Sequence, residues 1–526
     1  MPIQLTAVIL ALMTLLTGCT MSQLPPSSVP TSSTQWTQLQ EIEAAYEAWR
    51  HPLALASWYE RLGDPQPQKE ALQRQRRAFF FDSGIDRQLS ALARSSNKEV
   101  SDVAKAWQEL RASHRLGFDE RLDDLRVSIE RLATGGADEP ARMAPVQTLY
   151  TSTDPEARAA ALTELEDRFS QDLLPLLRWR AERLDEVAQG AGYEDYLALR
   201  FPSPKHGPRA TLEALCKAQL DDSQPAWDRW IVELTTKLGR APTHSDYLAE
   251  AVLGTNSSSH FLAALDPDTI ARDLFRHMGF NIERMNIQIA HRKGSPGGTA
   301  HAIDLPRDVR MEGFFPAGYD GTRGYLHELG HAVHMSSIQP GPQPFRQLPD
   351  NDALSEGIAE VFVRGLRDPG WLKKRFPNLS KEDLNRYLQS IYAFEAYAVR
   401  EYCLLSQLEM AIAQQRPVEE AFPAIYEETF GTPHNGKPFY DLVPYLTRPL
   451  YSLDYVVARS VTDAIITSLA PDTVLAPRVG DRLRREIFEP GNTLEIADIL
   501  GRPKVLLGLG HFPMDPTLAQ RVRAGL

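Results

Sequence analysis

The residues with the clearest chemical content are His327-Glu328-Leu329-Gly330-His331. On a helix, histidines four apart lie on one face a turn from each other, so both imidazoles can reach a single cation. Glu328 then points aside, where a carboxylate can hold a water rather than the metal. Zinc lowers the pKa of such a water toward neutrality. The carboxylate takes its proton during attack on a peptide carbonyl and can pass it to the leaving amine. Five residues of this kind are a weak signal alone; a solvated helix whose histidines cover apolar surface would read the same way.

Tetrahedral zinc needs a third protein ligand and keeps its fourth position for water. The longer pattern with a third histidine requires Gly at 334 and His at 337, but the chain has His334 and Ser337, which excludes it. Asn351-Asp352-Ala353-Leu354-Ser355-Glu356-Gly357-Ile358-Ala359-Glu360-Val361-Phe362 offers a carboxylate instead. Ser355 or Asp352 can cap a helix there, with Glu356 and Glu360 on one face and Ile358, Val361 and Phe362 packing beneath. Glu356 is the expected third ligand, with Asp352 its competitor. Glu360, one turn on, is placed to accept the other ring N–H of a ligand histidine and fix its tautomer.

These side chains need rigid elements. Asp320-Gly321-Thr322 supplies capping residues and Arg323 to Ser336 reads as the helix carrying both histidines. Just upstream the texture changes to short strands: Ile287 to Ala290, Thr299 to Leu305, and Val309 to Met311, separated by Gly/Pro-rich turns. From about Trp36 to Leu253 the pattern is helical, with apolar residues three and four apart in stretches such as Asp119 to Leu132 and Pro155 to Phe169. The expectation is a mainly α protein of two lobes with a deep cleft and a small β-sheet next to the histidine helix. Its N-terminal helical lobe would span 38–250 and its catalytic lobe 251–526.

With the second helix in view, the sequence resembles the gluzincin peptidases, specifically the angiotensin-converting-enzyme-like peptidyl-dipeptidases, with the thimet oligopeptidase and oligopeptidase F family a close relative. The resemblance covers roughly the last 250 to 330 residues. Its implications are one zinc ion per chain and peptide or oligopeptide substrates. His301-Ala302-Ile303-Asp304 is similar to a substrate-binding strand, which gives His301 and Ala302 substrate contacts. Pro449-Leu450-Tyr451-Ser452-Leu453-Asp454-Tyr455 is similar to the helix whose tyrosine stabilises the oxyanion, a role that maps to Tyr451, with Tyr455 the alternative donor near the substrate. Arg485 to Gly491, Leu500-Gly501-Arg502, and Gly192 to Tyr196 resemble further shared segments. The second histidine usually found shortly before the tyrosine is missing from Phe439 to Leu450, and His434 lies too far upstream. Arg448 is the basic residue available for a substrate C-terminal carboxylate.

Met1 to Thr17 carry no charge, and Ala7 to Leu16 form an apolar run of signal-peptide length. Leu16-Thr17-Gly18-Cys19 resembles a bacterial lipobox, which makes Cys19 a lipidation site and the mature N-terminus. Residues 20–37, rich in Ser and Pro, read as a flexible tether. The expectation is an exported envelope lipoprotein, anchored to a membrane and facing the periplasm. Cys216 and Cys403 lack metal or redox spacing and read as buried thiols.

The chain's 526 residues are 43% hydrophobic and 24% charged with a net charge of −12, and mean hydropathy is −0.33. Acidic residues are spread out and no long Lys/Arg block occurs, which excludes nucleic acid as a partner. Gly431-Thr432-Pro433-His434-Asn435-Gly436-Lys437 imitates a phosphate-binding loop, but Pro438 replaces the magnesium-binding hydroxyl and no strand precedes it; it reads as a turn. Two other readings carry the same residues: a catalytically silent lipoprotein that binds peptides, and a zinc hydrolase of non-peptide amides.

Overall fold

The computed structural model describes residues 34–134, 139–200, 208–293, 296–339, 352–434, 436–439, 446–469 and 475–491. Cys19, the signal segment and Leu500 to Arg502 lie outside them. The expected tether ends earlier than residue 37: a helix starts at Thr34 and runs to Arg61, with Trp36 buried against Leu39 and Trp107 in the same core. An apolar face at 36, 39, 42, 46 and 49 makes Trp36 its first residue, so the helical period overrides the serine-rich composition. Among the described residues no helix is long and apolar enough to cross a membrane.

Helices dominate, as the periodicity predicts. Their starts follow ordinary capping chemistry: the Asp154 side chain accepts from Glu156 N ahead of the helix Pro155–Arg168, and Thr243 with Asp246 forms a capping box for His244–Ser258. Residue 250, expected as a lobe boundary, falls inside that second helix. One core joins Leu165, Trp227 and Tyr247 to Tyr397, Leu408, Phe430 and Tyr451, so residues on both sides of 250 pack as a unit.

The sheet has three strands in the order β1-β3-β2: β1 (Ile287–His291), β2 (Gly297–Asp304) and β3 (Asp308–Phe314). β1 pairs parallel to β3, with Ile287 opposite Val309, and β2 pairs antiparallel to it, with Ala300 opposite Met311. β2 is therefore an edge. Its inner face packs on the motif helix (Tyr319–Ser337), while the N-terminal helix covers the other.

Three helices surround the site: the motif helix, the acidic helix (Asp352–Val363) and the tyrosine helix (Tyr451–Leu469). Glycines set their spacing. A Cβ on Gly330 would lie 2.7 Å from Phe362 and 3.1 Å from the Ala359 backbone. One on Gly357 would meet the Ala458 carbonyl and Val461 at 2.8 Å. Backbone thus approaches backbone directly, and Thr462 adds a hydrogen bond to the Gly357 carbonyl at 2.8 Å. Phe362, fully buried and stacked on Phe275 at 4.3 Å, contributes roughly 1.5–3 kcal/mol by leaving water.

Candidate metal centre

The motif helix starts at Tyr319, after Gly318, so Asp320, Gly321 and Thr322 lie in its first turn instead of capping it. An acidic group there still favours the helix through the partial positive charge of its N-terminus. His327 and His331 project from one face, with their Nε2 atoms 3.1 Å apart. From the acidic helix, Glu356 Oε2 lies 2.9 Å from His327 Nε2 and 3.7 Å from His331 Nε2. All three donor atoms lie within 4.8 Å of one another. Asp352 is described by its backbone alone.

Neighbouring groups fix the rings. His327 Nδ1 donates to Glu360 Oε1 at 3.1 Å, since a carboxylate can only accept, and this leaves Nε2 as the ligand nitrogen. Arg323, one turn before His327, donates to the same oxygen at 2.9 Å. Ser355 Oγ lies 3.0 Å from His331 Nδ1. Ser355 sits within the acidic helix and orients a histidine; the capping role expected for it is not the one it fills.

Electrostatically the cluster is built for positive charge. Burial disfavours a charged His327, but hydrogen bonds and charge from Glu356 and Glu360 outweigh that and raise its pKa to about 10. Glu360 is likewise buried, yet Arg323 and His327 hold its carboxyl down at about 2. Burial also opposes ionisation of Glu356, and the two histidines pull it well below the usual carboxylate range. The residues fit a metal ion by two observations. Glu356 Oε2 is buried and faces the two Nε2 atoms, the nitrogens left for the ion, with no hydrogen-bond donor besides them. Two donors each about 2.0 Å from a tetrahedral ion stand roughly 3.3 Å apart, and the separations of 2.9, 3.1 and 3.7 Å bracket that value.

Glu328 is held aside, as its position next to a ligand requires: its Oε2 accepts from Ala300 N on the edge of β2 at 3.0 Å. Across from it, Tyr451 Oη donates to Glu356 Oε1 at 3.1 Å and lies 3.3 Å from Tyr455 Oη. Tyr455 stacks on Tyr402 at 5.1 Å. The Arg448 guanidinium lies 3.6 Å from the centre of the Tyr451 ring.

The structure does not bring His301 to this cluster. It packs edge-on against Trp58 at 5.4 Å with Nε2 3.9 Å from Glu312, and burial together with Arg61 pulls its pKa down to about 4. Its neighbour in the strand, Ala302, has its carbonyl taken by Arg50 Nη1 at 3.2 Å. His434 is remote as well, paired with Glu166 at 2.9 Å, and Gly431 is the left-handed end of the helix Val418–Phe430. Sequence reasoning missed Arg323, Ser355 and the aromatic stacking of Arg448. The first had a signal, since Arg323 stands four residues before His327.

No family model matches the chain, and no curated protein matches it in sequence. Solved structures do. A carboxypeptidase from Pyrococcus furiosus aligns at TM-score 0.58 and 14% identity over 90% of this chain and 95% of that one. An M32 carboxypeptidase from Deinococcus radiodurans R1 gives 0.58 and 14% over 89% and 95%. Metallocarboxypeptidase 1 of Trypanosoma cruzi gives 0.59 and 15% over 90% and 98%. This chain has their mainly α fold.

Proposed function

We propose that this chain is a zinc-dependent peptidase acting at the C-terminal end of peptides. The observation that carries the reading is the convergence of His327, His331 and Glu356 on one point, with a separate carboxylate, Glu328, and a phenol, Tyr451, on its flanks. Two imidazoles and one carboxylate suit zinc, and three protein ligands leave the position that catalysis needs. Bound there, the ion supplies Lewis acidity and brings a water's pKa toward neutrality.

Glu328 takes the proton of the attacking water and returns it to the departing amine. Tyr451 donates to the carbonyl oxygen as charge develops, an interaction stronger in the transition state than in the ground state. Glu360 and Ser355 hold the histidine tautomers. The carbonyl and amide groups on the edge of β2 support an extended peptide as an added strand.

Support for C-terminal action comes from beyond Tyr451. A cavity of about 410 Å³ is lined there by Arg126, Arg180, Arg200 and Arg448. Arg200 Nη2 donates to both carboxylate oxygens of Asp454, at 2.7 and 2.6 Å. Arg448, stacked on the Tyr451 ring at the wall of this cavity, is the cation assigned here to a terminal carboxylate. The carboxypeptidase neighbours share the fold and accord with this direction. Attachment to a bacterial envelope membrane through Cys19 belongs to the same proposal and rests on the lipobox-like sequence.

Incubation with a mixed peptide library, with and without chelator, tests the function. Chelator-sensitive loss of single C-terminal residues fits a carboxypeptidase, loss of dipeptides a peptidyl-dipeptidase, and internal cuts argue for an oligopeptidase. Protein that binds zinc stoichiometrically and leaves every peptide intact would defeat the proposal.

A further inference from the structure

Tyr451 is the first residue of its helix, where backbone ends ordinarily fray. The residue before it, Leu450, has φ 61°, a left-handed conformation that costs a non-glycine residue roughly 1–2 kcal/mol. Something must hold this entry in place. The first turn is gripped from outside: Ser452 N donates to Glu409 Oε2 at 3.0 Å, and Ser452 Oγ donates to the same oxygen. Glu409 belongs to the long helix Lys381–Ala413, and Ser406, a turn earlier on it, donates to Ser452 Oγ at 3.2 Å. Local carbonyls take the Tyr451 and Leu453 N–H groups, and a carboxylate from a separate helix caps the Ser452 N–H between them.

Glu409 is 4% exposed, and its other oxygen, Oε1, is buried without a hydrogen-bond partner. Burial pushes its carboxyl up to about 7 against the pull of Ser452 and Arg180. A leucine of similar volume would carry no such cost, and what the carboxylate adds is its hold on Ser452.

We infer that Glu409 is a positioning residue for Tyr451, fixing the first turn of the tyrosine helix so that the phenol stays aimed at the metal centre. The inference rests on the role proposed for Tyr451. Misplacing a catalytic group by about 1 Å can cost two orders of magnitude in rate.

The test uses the full chain loaded with zinc and a peptide that the wild-type protein cleaves. Glu409→Leu lowers kcat on the order of tenfold to a hundredfold, with KM and zinc affinity by chelator competition little changed. Glu409→Gln, which keeps an acceptor oxygen, recovers most of the loss. On a Tyr451→Phe background, Glu409→Leu costs nothing further. Full kcat in Glu409→Leu, or an equal loss with and without the Tyr451 hydroxyl, overturns the inference. If Glu409→Leu does not fold, Ser452→Ala takes its place in the same comparison. Absence of peptidase activity in wild-type protein counts against the proposed function alone. Hydrogen exchange then decides: Glu409→Leu, or Ser452→Ala, speeds exchange about tenfold at Ser452 to Tyr455 and leaves the acidic helix unchanged. Unchanged exchange at Ser452 to Tyr455 overturns the inference.

Discussion

Among the described residues, two constellations contain two histidines and a glutamate: His327, His331 and Glu356 at the centre, and His244, His434 and Glu166 among the helices around Tyr426. In the first the donor atoms converge, and one carboxylate oxygen faces the two ring nitrogens alone. In the second the rings stand 5.8 Å apart, His244 Nδ1 meets Tyr426 Oη at 3.1 Å, and Glu166 is shared between His434 and the Lys437 amide. Tyr426 stacks on His434 at 4.6 Å. The difference teaches that residue type does not make a metal site. Two carboxylates facing one imidazole create a demand for positive charge, whereas one carboxylate already shared, walled by aromatic rings, creates none.

The largest effect separates catalysis from binding within the first constellation. Glu328→Gln should lower kcat by about 10²–10⁴-fold while zinc remains stoichiometric by elemental analysis. Next come paired deletions. Glu356→Ala should lose both zinc and activity, and Glu166→Ala should keep both while costing roughly 1–3 kcal/mol in urea unfolding, because His434 loses its acceptor. Zinc loss in the Glu166 variant would erase the distinction. Glu360→Ala should weaken zinc binding about 10–100-fold in chelator competition, as loss of a partner to a ligand histidine does.

The smallest expected effect is the pH dependence of the metal-free protein. The folded-state pKa of His327 is raised to about 10, so its contribution is complete below about 6.5 and lost as pH rises toward 10. Burial first, and then His434, lowers that of His244 to about 3. The unfolded chain then binds more protons below about 6.5, and stability falls as pH drops from there toward 3. Unfolding midpoints should decline on both sides. His244→Gln should lessen the decline on the acid side and leave the alkaline side unchanged, and a variant that lessens both would merge the two sites.

The central site was legible where its logic is local. Spacing placed His327, His331, Glu356 and Glu360, and alternation placed the three strands. What escaped depends on partners distant in sequence. His301 and Ala300 are neighbours on β2, yet Ala300 turns its N–H to Glu328 while His301 lies under Trp58, a residue more than two hundred positions earlier. Alternation says that successive side chains take opposite faces; it does not say which face meets substrate. Ser355 read as a cap because serine favours helix starts, and tertiary packing placed it within the helix against His331. Glu409 gave no signal at all, since a carboxylate that caps another helix looks in sequence like any polar residue.

The edge of β2 has a consequence for affinity. Two of its outward groups are already engaged, Ala300 N by Glu328 and the Ala302 carbonyl by Arg50 of the N-terminal helix. A peptide docking along this strand exchanges hydrogen bonds at those two groups, so at these positions the backbone contribution to binding nets close to zero. Discrimination then falls to side chains and the chain end. The same two contacts make the edge less inviting to sticky unfolded segments, which offer only backbone.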